Sequence, residues 1–65
     1  MKDERIMKYV PKHLKEAVRE AYHDSDGYWI YLTEGYEDTH MNTNAIHGET
    51  IQQLREDLKN VEKVK

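Results

Sequence analysis

The run from Tyr28 to Leu32 contains only aromatic and aliphatic residues, and it constrains the fold more than any other stretch. Aromatic and β-branched side chains fit a pleated, half-buried surface, so the run predicts a β-strand. Strand alternation places Tyr28, Ile30 and Leu32 on one face. It places Trp29 and Tyr31 on the opposite face. Because both faces carry large apolar side chains, we expect a central strand or one that a partner chain covers.

The residues after this strand predict a hairpin. Residues 33–35 form a turn candidate, because their glycine readily adopts a positive φ. Tyr36 is expected to begin the returning strand and to face an aromatic residue across the hairpin. Alternation over residues 36–41 predicts that strand, whereas residues 45–47 are either a third strand or an extended approach to a helix. The sequence thus predicts a β-meander over residues 28–47.

Two amphipathic segments flank the predicted strands. Over residues 11–23, apolar side chains recur at three- and four-residue spacing with charged residues between them, which predicts a helix of about three turns. Thr50 and Gln53 match a capping box, which predicts a second helix over residues 49–62 followed by a frayed tail. Residues 1–10 fit an N-terminal arm, a short strand or a helical turn.

These elements predict a single α+β domain over residues 1–65. Its order is helix, two- or three-stranded antiparallel β-meander, helix, with both helices packed on one face of the sheet.

A chain of 65 residues buries only ~60% of its unfolded surface, so the core is small. There is no cysteine to form a disulfide, and a homodimer is one way to complete such a core. No secretory signal or membrane span is evident, so we expect a cytoplasmic protein.

Charge is segregated along the chain, whose formal net charge is −3. Residues 24–50 contain no Lys or Arg, whereas the segments before and after them mix both signs. The six acidic residues in this stretch are Asp24, Asp26, Glu34, Glu37, Asp38 and Glu49. Such a region repels phosphates, so we expect no nucleic-acid partner. It is either a solvated acidic rim or a face that binds a basic protein surface.

The aromatic residues near these carboxylates predict an interaction surface. Trp29 and Tyr31 are the first choice for an exposed or partner-covered face, because large aromatic side chains anchor interfaces. Stacking on nucleic-acid bases is the alternative use of such rings, and the acidic surroundings disfavour it. The predicted protein-interaction residues are Trp29, Tyr31, Glu34, Tyr36, Glu37 and Asp38.

Asp24, Asp26 and Gly27 have the spacing of part of a calcium-binding loop. In that alignment the first and last ligand positions fall on Tyr22 and Thr33, and neither residue supplies a carboxylate. A simple turn is therefore the favoured interpretation.

No other pattern indicates catalysis or a metal site. The four histidines form no His-x-x-x-His pair, and a zinc site would require His40 or His47 to converge with Asp38 or Glu49. Asp38, Thr39 and His40 have triad-type side chains, but neighbours on a strand point to opposite faces and cannot form a relay. We therefore expect a non-enzymatic protein with no cofactor, no metal and no small-molecule substrate.

Several motifs resemble small uncharacterised proteins of Gram-positive bacteria and their phages and mobile elements. The residues that carry this likeness are Tyr9-Val10-Pro11-Lys12-His13-Leu14-Lys15-Glu16, Asp26-Gly27-Tyr28-Trp29-Ile30-Tyr31-Leu32, Glu34-Gly35-Tyr36 and Ile46-His47-x-x-Thr50. Gly27-Tyr28-Trp29 and Gly48-Glu49-Thr50 also resemble the Gly-Tyr-Trp strand and the Gly-acidic-Thr helix entry of HicB-type antitoxins. The antitoxin resemblance implies a strand–strand–helix core whose acidic surface covers a basic toxin. The sequence predicts a small regulator or binding module whose partner is a basic protein surface or a second copy of itself.

Overall fold

The computed structural model describes residues 2–64, and in this part of the chain short helical segments pack against antiparallel sheets of three and two strands. The α+β class predicted from the sequence is confirmed. In chain order the elements are α1 (Glu4–Met7), a 3-10 helix (Lys12–Ala17), β1 (Val18–Asp24), β2 (Gly27–Leu32), β3 (Tyr36–Asp38), β4 (Ala45–Gly48), α2 (Ile51–Leu58) and β5 (Val61–Lys63). Among the described residues, no helix is long and apolar enough to cross a membrane.

The aromatic run forms β2, which is the central strand of the larger sheet in the order β1-β2-β4. Ala21, Ile30 and Ile46 lie opposite one another across its three strands, and all three are buried. The helical segments cover this same side of the sheet and complete one core with β5. The other buried residues of the core are Ile6, Val10, Leu14, Val18, Leu32, Leu54, Leu58 and Val61.

The predicted helix over residues 11–23 is wrong, because this segment is a 3-10 helix followed by β1. The pairing of β1 with β2 shifts register between Val18 and Glu20, where Arg19 is an additional residue. This bulge turns both Val18 and Ala21 toward the core. Buried residues three positions apart are also typical of one face of an α-helix, so the bulge imitates helical periodicity.

The hairpin joins β1 to β2, so the prediction of a hairpin between β2 and the next strand is wrong. Asp24 pairs with Gly27 across a two-residue connection, Ser25 and Asp26. The Asp24 side chain accepts a hydrogen bond from the Asp26 backbone N–H at 2.9 Å, which closes the turn. Gly27 adopts a φ of +126°, a value that residues with a side chain rarely take.

The chain does turn after β2, with Gly35 at a φ of +97°, but it does not return along β2. Tyr36 lies opposite Lys63 of β5, and not opposite an aromatic residue of β2. A turn over residues 39–42 ends β3 at Asp38, before Met41. The predicted β-meander is therefore corrected to two sheets, and the alternative in which residues 45–47 form a strand is confirmed by β4.

The predicted Thr50 cap at the start of α2 is confirmed, and the reciprocal hydrogen bond to Gln53 comes from the backbone N–H one residue before the cap. The Gln53 N–H donates to Thr50 Oγ1 at 3.2 Å, and Gln53 Oε1 accepts from the Glu49 N–H at 2.8 Å. The helix ends at Leu58, and the predicted frayed tail instead forms β5. The N-terminal segment contains the helical turn α1, while Met1 and Lys65 lie outside the described residues.

Candidate protein-interaction face

The outer face of the larger sheet, opposite the core, carries a row of aromatic side chains. The strand register places Tyr22, Trp29 and His47 opposite one another across β1, β2 and β4. They point outward because the residues before or after them on each strand point into the core. Tyr31 lies two residues after Trp29 and shares this face. We call these four residues the aromatic face.

The rings of the aromatic face stack along the sheet. The Trp29 and His47 ring centroids are 4.1 Å apart with an interplanar angle of 24°. The Tyr22 ring lies 6.3 Å from that of Trp29 and 6.0 Å from that of Tyr31. Tyr22 is 38% exposed, His47 is exposed, and the other two side chains are half-buried. The row therefore offers pre-arranged ring area to a binding partner.

Hydrogen bonds hold Trp29 and His47 in place. The Trp29 indole Nε1–H donates to Asp24 Oδ1 at 3.0 Å. The Asp26 N–H, together with this indole N–H, holds the pKa of Asp24 below its usual range. His47 Nε2 lies 2.7 Å from the Asp26 carbonyl oxygen, so this ring nitrogen carries the proton that it donates. The hairpin turn thus orients both rings before any partner arrives.

The two tyrosines of the aromatic face share a polar contact. Their hydroxyl oxygens are 3.5 Å apart, and the hydrogen bond with Tyr31 raises the pKa of Tyr22 to about 12. The Arg19 guanidinium lies 6.0 Å from the centroid of the Tyr31 ring. The bulge that contains Arg19 therefore places a cation at the end of the face away from the hairpin turn.

Carboxylates border the aromatic face at the hairpin end. Asp24, Asp26 and Glu49 are all exposed and line one shallow concavity, together with His23 and Ser25. No Lys or Arg lines this concavity within the part of the chain that the structure describes. We call the three carboxylates the acidic rim. Negative charge therefore lies beside the indole of Trp29, and among the described residues no Lys or Arg lines the same concavity.

The structure separates the six residues that the sequence predicted as one surface. Trp29 and Tyr31 lie on the aromatic face, but Glu34, Tyr36 and Glu37 line a different concavity beside β3. Tyr36 packs against the core, and Lys63 pairs opposite it. These three residues are therefore not continuous with the aromatic face.

The prediction that Asp38 belongs to the protein-interaction surface is wrong, because only 2% of this residue is exposed. Its Oδ1 accepts hydrogen bonds from the backbone N–H groups of His40, at 3.0 Å, and Met41, at 3.3 Å. Burial raises the pKa of the nearby Asp57, and the charge of Asp38 adds to that effect. Asp38 thus stabilises the turn after β3 and presents no charge to a partner.

Sequence reasoning missed Tyr22 and His47 as members of the site. Tyr22 falls within residues 11–23, for which the sequence predicts a helix, and His47 enters the sequence-based predictions of a site only as a candidate zinc ligand. The Asp26-Gly27 pair is a strong hairpin signal when strand-like runs flank it, and it points to β1. The structure places the two-residue turn one position earlier, at Ser25 and Asp26, and this shift pairs Tyr22 with Trp29.

Among residues 2–64, no three His, Asp or Glu side chains converge as a set of metal ligands. Asp24 and Asp26, which resemble part of a calcium loop, instead form the hairpin turn. Comparison with known proteins finds no matching family model, curated protein or solved structure. Function is therefore inferred from the chemistry of the aromatic face and its rim.

Proposed function

We propose that this chain is a small, non-enzymatic protein-binding module whose aromatic face and acidic rim bind a basic segment of a partner protein. The observation that supports the proposal is the stacked row of Tyr22, Trp29 and His47, which lies beside a carboxylate cluster with no Lys or Arg among the described residues that line it. A Lys or Arg side chain placed over an exposed aromatic ring gains about 0.5–1 kcal/mol. Several such contacts, with carboxylates at the edge, favour a cationic partner over a neutral one.

The rigidity of the aromatic face supports the same proposal. Ring stacking and the hydrogen bonds from Trp29 and His47 to the hairpin turn hold these side chains in position. Binding costs less when side chains are already ordered, because ordering each flexible side chain costs about 0.5–1.5 kcal/mol. The net charge of −3 and the acidic rim steer a basic partner toward this end of the sheet.

We extend the proposal to a regulatory role inside the cell. A module that covers a basic surface blocks whatever that surface binds. The HicB-type resemblance implies a partner of the same chemistry, namely a basic toxin. We extend the proposal to that case as one instance of a basic partner, whether the chain is encoded by a cell, a phage or a mobile element.

The test is a titration of the isotope-labelled protein with a short synthetic peptide rich in Lys and Arg. Trp29 is the only tryptophan, so its indole N–H gives a single, assignable NMR signal on the aromatic face. We expect this signal and the amide signals of Tyr22 and His47 to shift saturably. A Glu-rich peptide of the same length should leave them unchanged.

Two double variants with the same total charge separate a specific site from general attraction. Asp26→Lys with Glu49→Lys reverses two of the three carboxylates of the acidic rim, whereas Glu16→Lys with Glu56→Lys reverses two exposed carboxylates elsewhere. Each reversal adds two charges, so both variants move the net charge from −3 to +1. We expect the rim variant to bind at least about tenfold more weakly at low salt than the control variant. Equal losses in both variants, or shifts away from Trp29, would rule the proposal out.

Self-association through the same face is a second candidate, favoured by the position of Arg19. Arg19 lies over Tyr31, five residues along β1 from Asp24, which corresponds to about 17 Å of extended strand. In a twofold arrangement of two aromatic faces, each Arg19 faces the acidic rim of the other copy. Sedimentation over a range of protein concentrations separates the candidates, because only self-association gives a dimer without added peptide.

A further inference from the structure

A second concavity, with a volume of about 330 Å³, lies on the core side of the larger sheet. One wall is α1 and the residues after it, and Ile51 at the start of α2 also lines it. This volume is at the lower end of the range for small-molecule sites in proteins. We call this concavity the α1 cleft.

Aromatic rings form two sides of the α1 cleft. His23 and Tyr28 lie opposite one another on β1 and β2, and their ring centroids are 4.4 Å apart with an interplanar angle of 17°. Tyr9 lies on the α1 side and is 36% exposed. The alternation of the strands turns His23 and Tyr28 away from the aromatic face, so these rings form a separate surface. Rings of this kind favour contact with a flat, apolar group.

The charges around the α1 cleft differ in sign from those of the acidic rim. The carboxylate Asp3 is paired with Arg5, whose Nη2 lies 3.2 Å from Asp3 Oδ2. Hydrogen bonds from Arg5 hold the pKa of Asp3 below its usual range. Lys8 also lines the cleft, with its Nζ 5.2 Å from the centroid of the Tyr9 ring, and within residues 2–64 it pairs with no carboxylate. The cleft therefore carries an excess of positive charge on a protein that is negative overall.

We propose that the α1 cleft binds a small aromatic carboxylate. Its ring lies between Tyr9 and the His23–Tyr28 pair, and its carboxylate contacts Lys8 and the outer side of the Arg5 guanidinium. Aromatic walls and a cation at the edge are complementary to this class of ligand. The proposal is independent of the protein-binding function, and it departs from the sequence-based expectation that no small molecule binds.

The test compares indole-3-acetate with indole-3-acetamide, its neutral isostere, by NMR titration of the labelled protein at neutral pH. We expect indole-3-acetate to shift the amide signals of Tyr9, His23 and Tyr28 and to bind about two- to fivefold more tightly than the amide. The preference is small because contacts between exposed charges are weak. Lys8→Gln should reduce this preference, because only Arg5 then remains to contact the carboxylate. Lys12→Gln, a matched change at an exposed lysine that does not line the cleft, should leave the preference intact.

A second variant tests the ring contacts. Tyr9→Leu keeps the charges of the cleft and should weaken the binding of indole-3-acetate and of indole-3-acetamide to a similar extent. Equal affinity of the wild-type protein for both probes would overturn the proposal, because the carboxylate would then not be recognised. Shifts confined to Tyr22 and Trp29, or the absence of a saturable shift, would overturn it as well.

Discussion

At the scale of single residues, one carboxylate links the hairpin turn to the proposed binding surface. Asp24 Oδ1 accepts both the Asp26 N–H and the Trp29 indole N–H. The same aspartate resembled a calcium ligand in the sequence, where its acceptors had no visible partner. In the structure, this Asp24 oxygen accepts hydrogen bonds from the turn and from the tryptophan, whereas the sequence alone left it available to a metal.

The pKa of Tyr22 gives a prediction at this scale. In the folded protein it is about 12, against 10.0 for an unperturbed tyrosine, chiefly because of the hydrogen bond with Tyr31. The pKa of Tyr22 is higher in the folded state than in the unfolded state. The stabilisation of the fold that this hydrogen bond provides is therefore fully present below about pH 10 and is lost as the pH rises through about 12. A spectrophotometric titration should show one tyrosine that ionises late. Tyr31→Phe should lower the pKa of Tyr22 toward 10.

Tyr9→Phe is the control for this titration, because Tyr9 lies in the α1 cleft, away from Tyr22. This variant should keep the late transition. A late transition that survives in Tyr31→Phe would show that the contact between the two hydroxyls is not its cause.

At the scale of elements, the bulge in β1 and the turn before β2 decide which side chains face outward. The additional residue Arg19 restores inward packing for Ala21 and turns Tyr22 toward Trp29. Without the bulge, a one-residue shift would exchange the core face and the outer face of β1. The aromatic face is therefore a product of strand register.

Gly27 gives a prediction at the element scale. A Cβ added at this residue would lie 2.5 Å from the Gly48 carbonyl oxygen, and the φ of +126° disfavours any side chain. We expect Gly27→Ala to lower the free energy of unfolding by about 3 kcal/mol or more, since steric conflict adds to backbone strain. Ser25→Ala in the same turn should change it by no more than about 0.5 kcal/mol. Urea denaturation measures both, and similar values for the two variants would contradict the close approach of β2 and β4.

At the scale of the whole molecule, the C-terminal strand closes the structure. Asp38 pairs with Val61, and the Val64 N–H donates to the Gly35 carbonyl oxygen at 2.7 Å. Val61 is also part of the single core that the helical segments share with the larger sheet. The second sheet therefore connects residues 61–64 to residues 35–38.

Two valines near the C-terminus test this closure. Val61 is 7% exposed, whereas Val64 is 46% exposed. We expect Val61→Ala to lower the free energy of unfolding by about 2 kcal/mol, because it leaves a cavity in a small core. Val64→Ala should change it by no more than about 0.5 kcal/mol. Chemical denaturation distinguishes the two, and equal effects would mean that the tail does not pack as β5.

Local signals in the sequence were sufficient for several features of the fold. The ring-rich run predicted the central strand β2, and the Thr50–Gln53 pair predicted the cap of α2. Trp29 and Tyr31 were also recognised as residues of an outward face. These features depend on residues within a few positions of one another, so residue propensity and spacing are sufficient to predict them.

Other features were decided only by contacts between distant parts of the chain. The bulged β1 is a strand because it pairs with β2, although its spacing of apolar residues indicated a helix. Asp38 is buried because β3 pairs with β5, more than twenty residues later. The sequence by itself determined the class of fold and the central strand, because these follow from local side-chain chemistry. Tertiary structure alone decided the register that brings Tyr22, Trp29 and His47 together, because pairing energy between strands outweighs local helical preference.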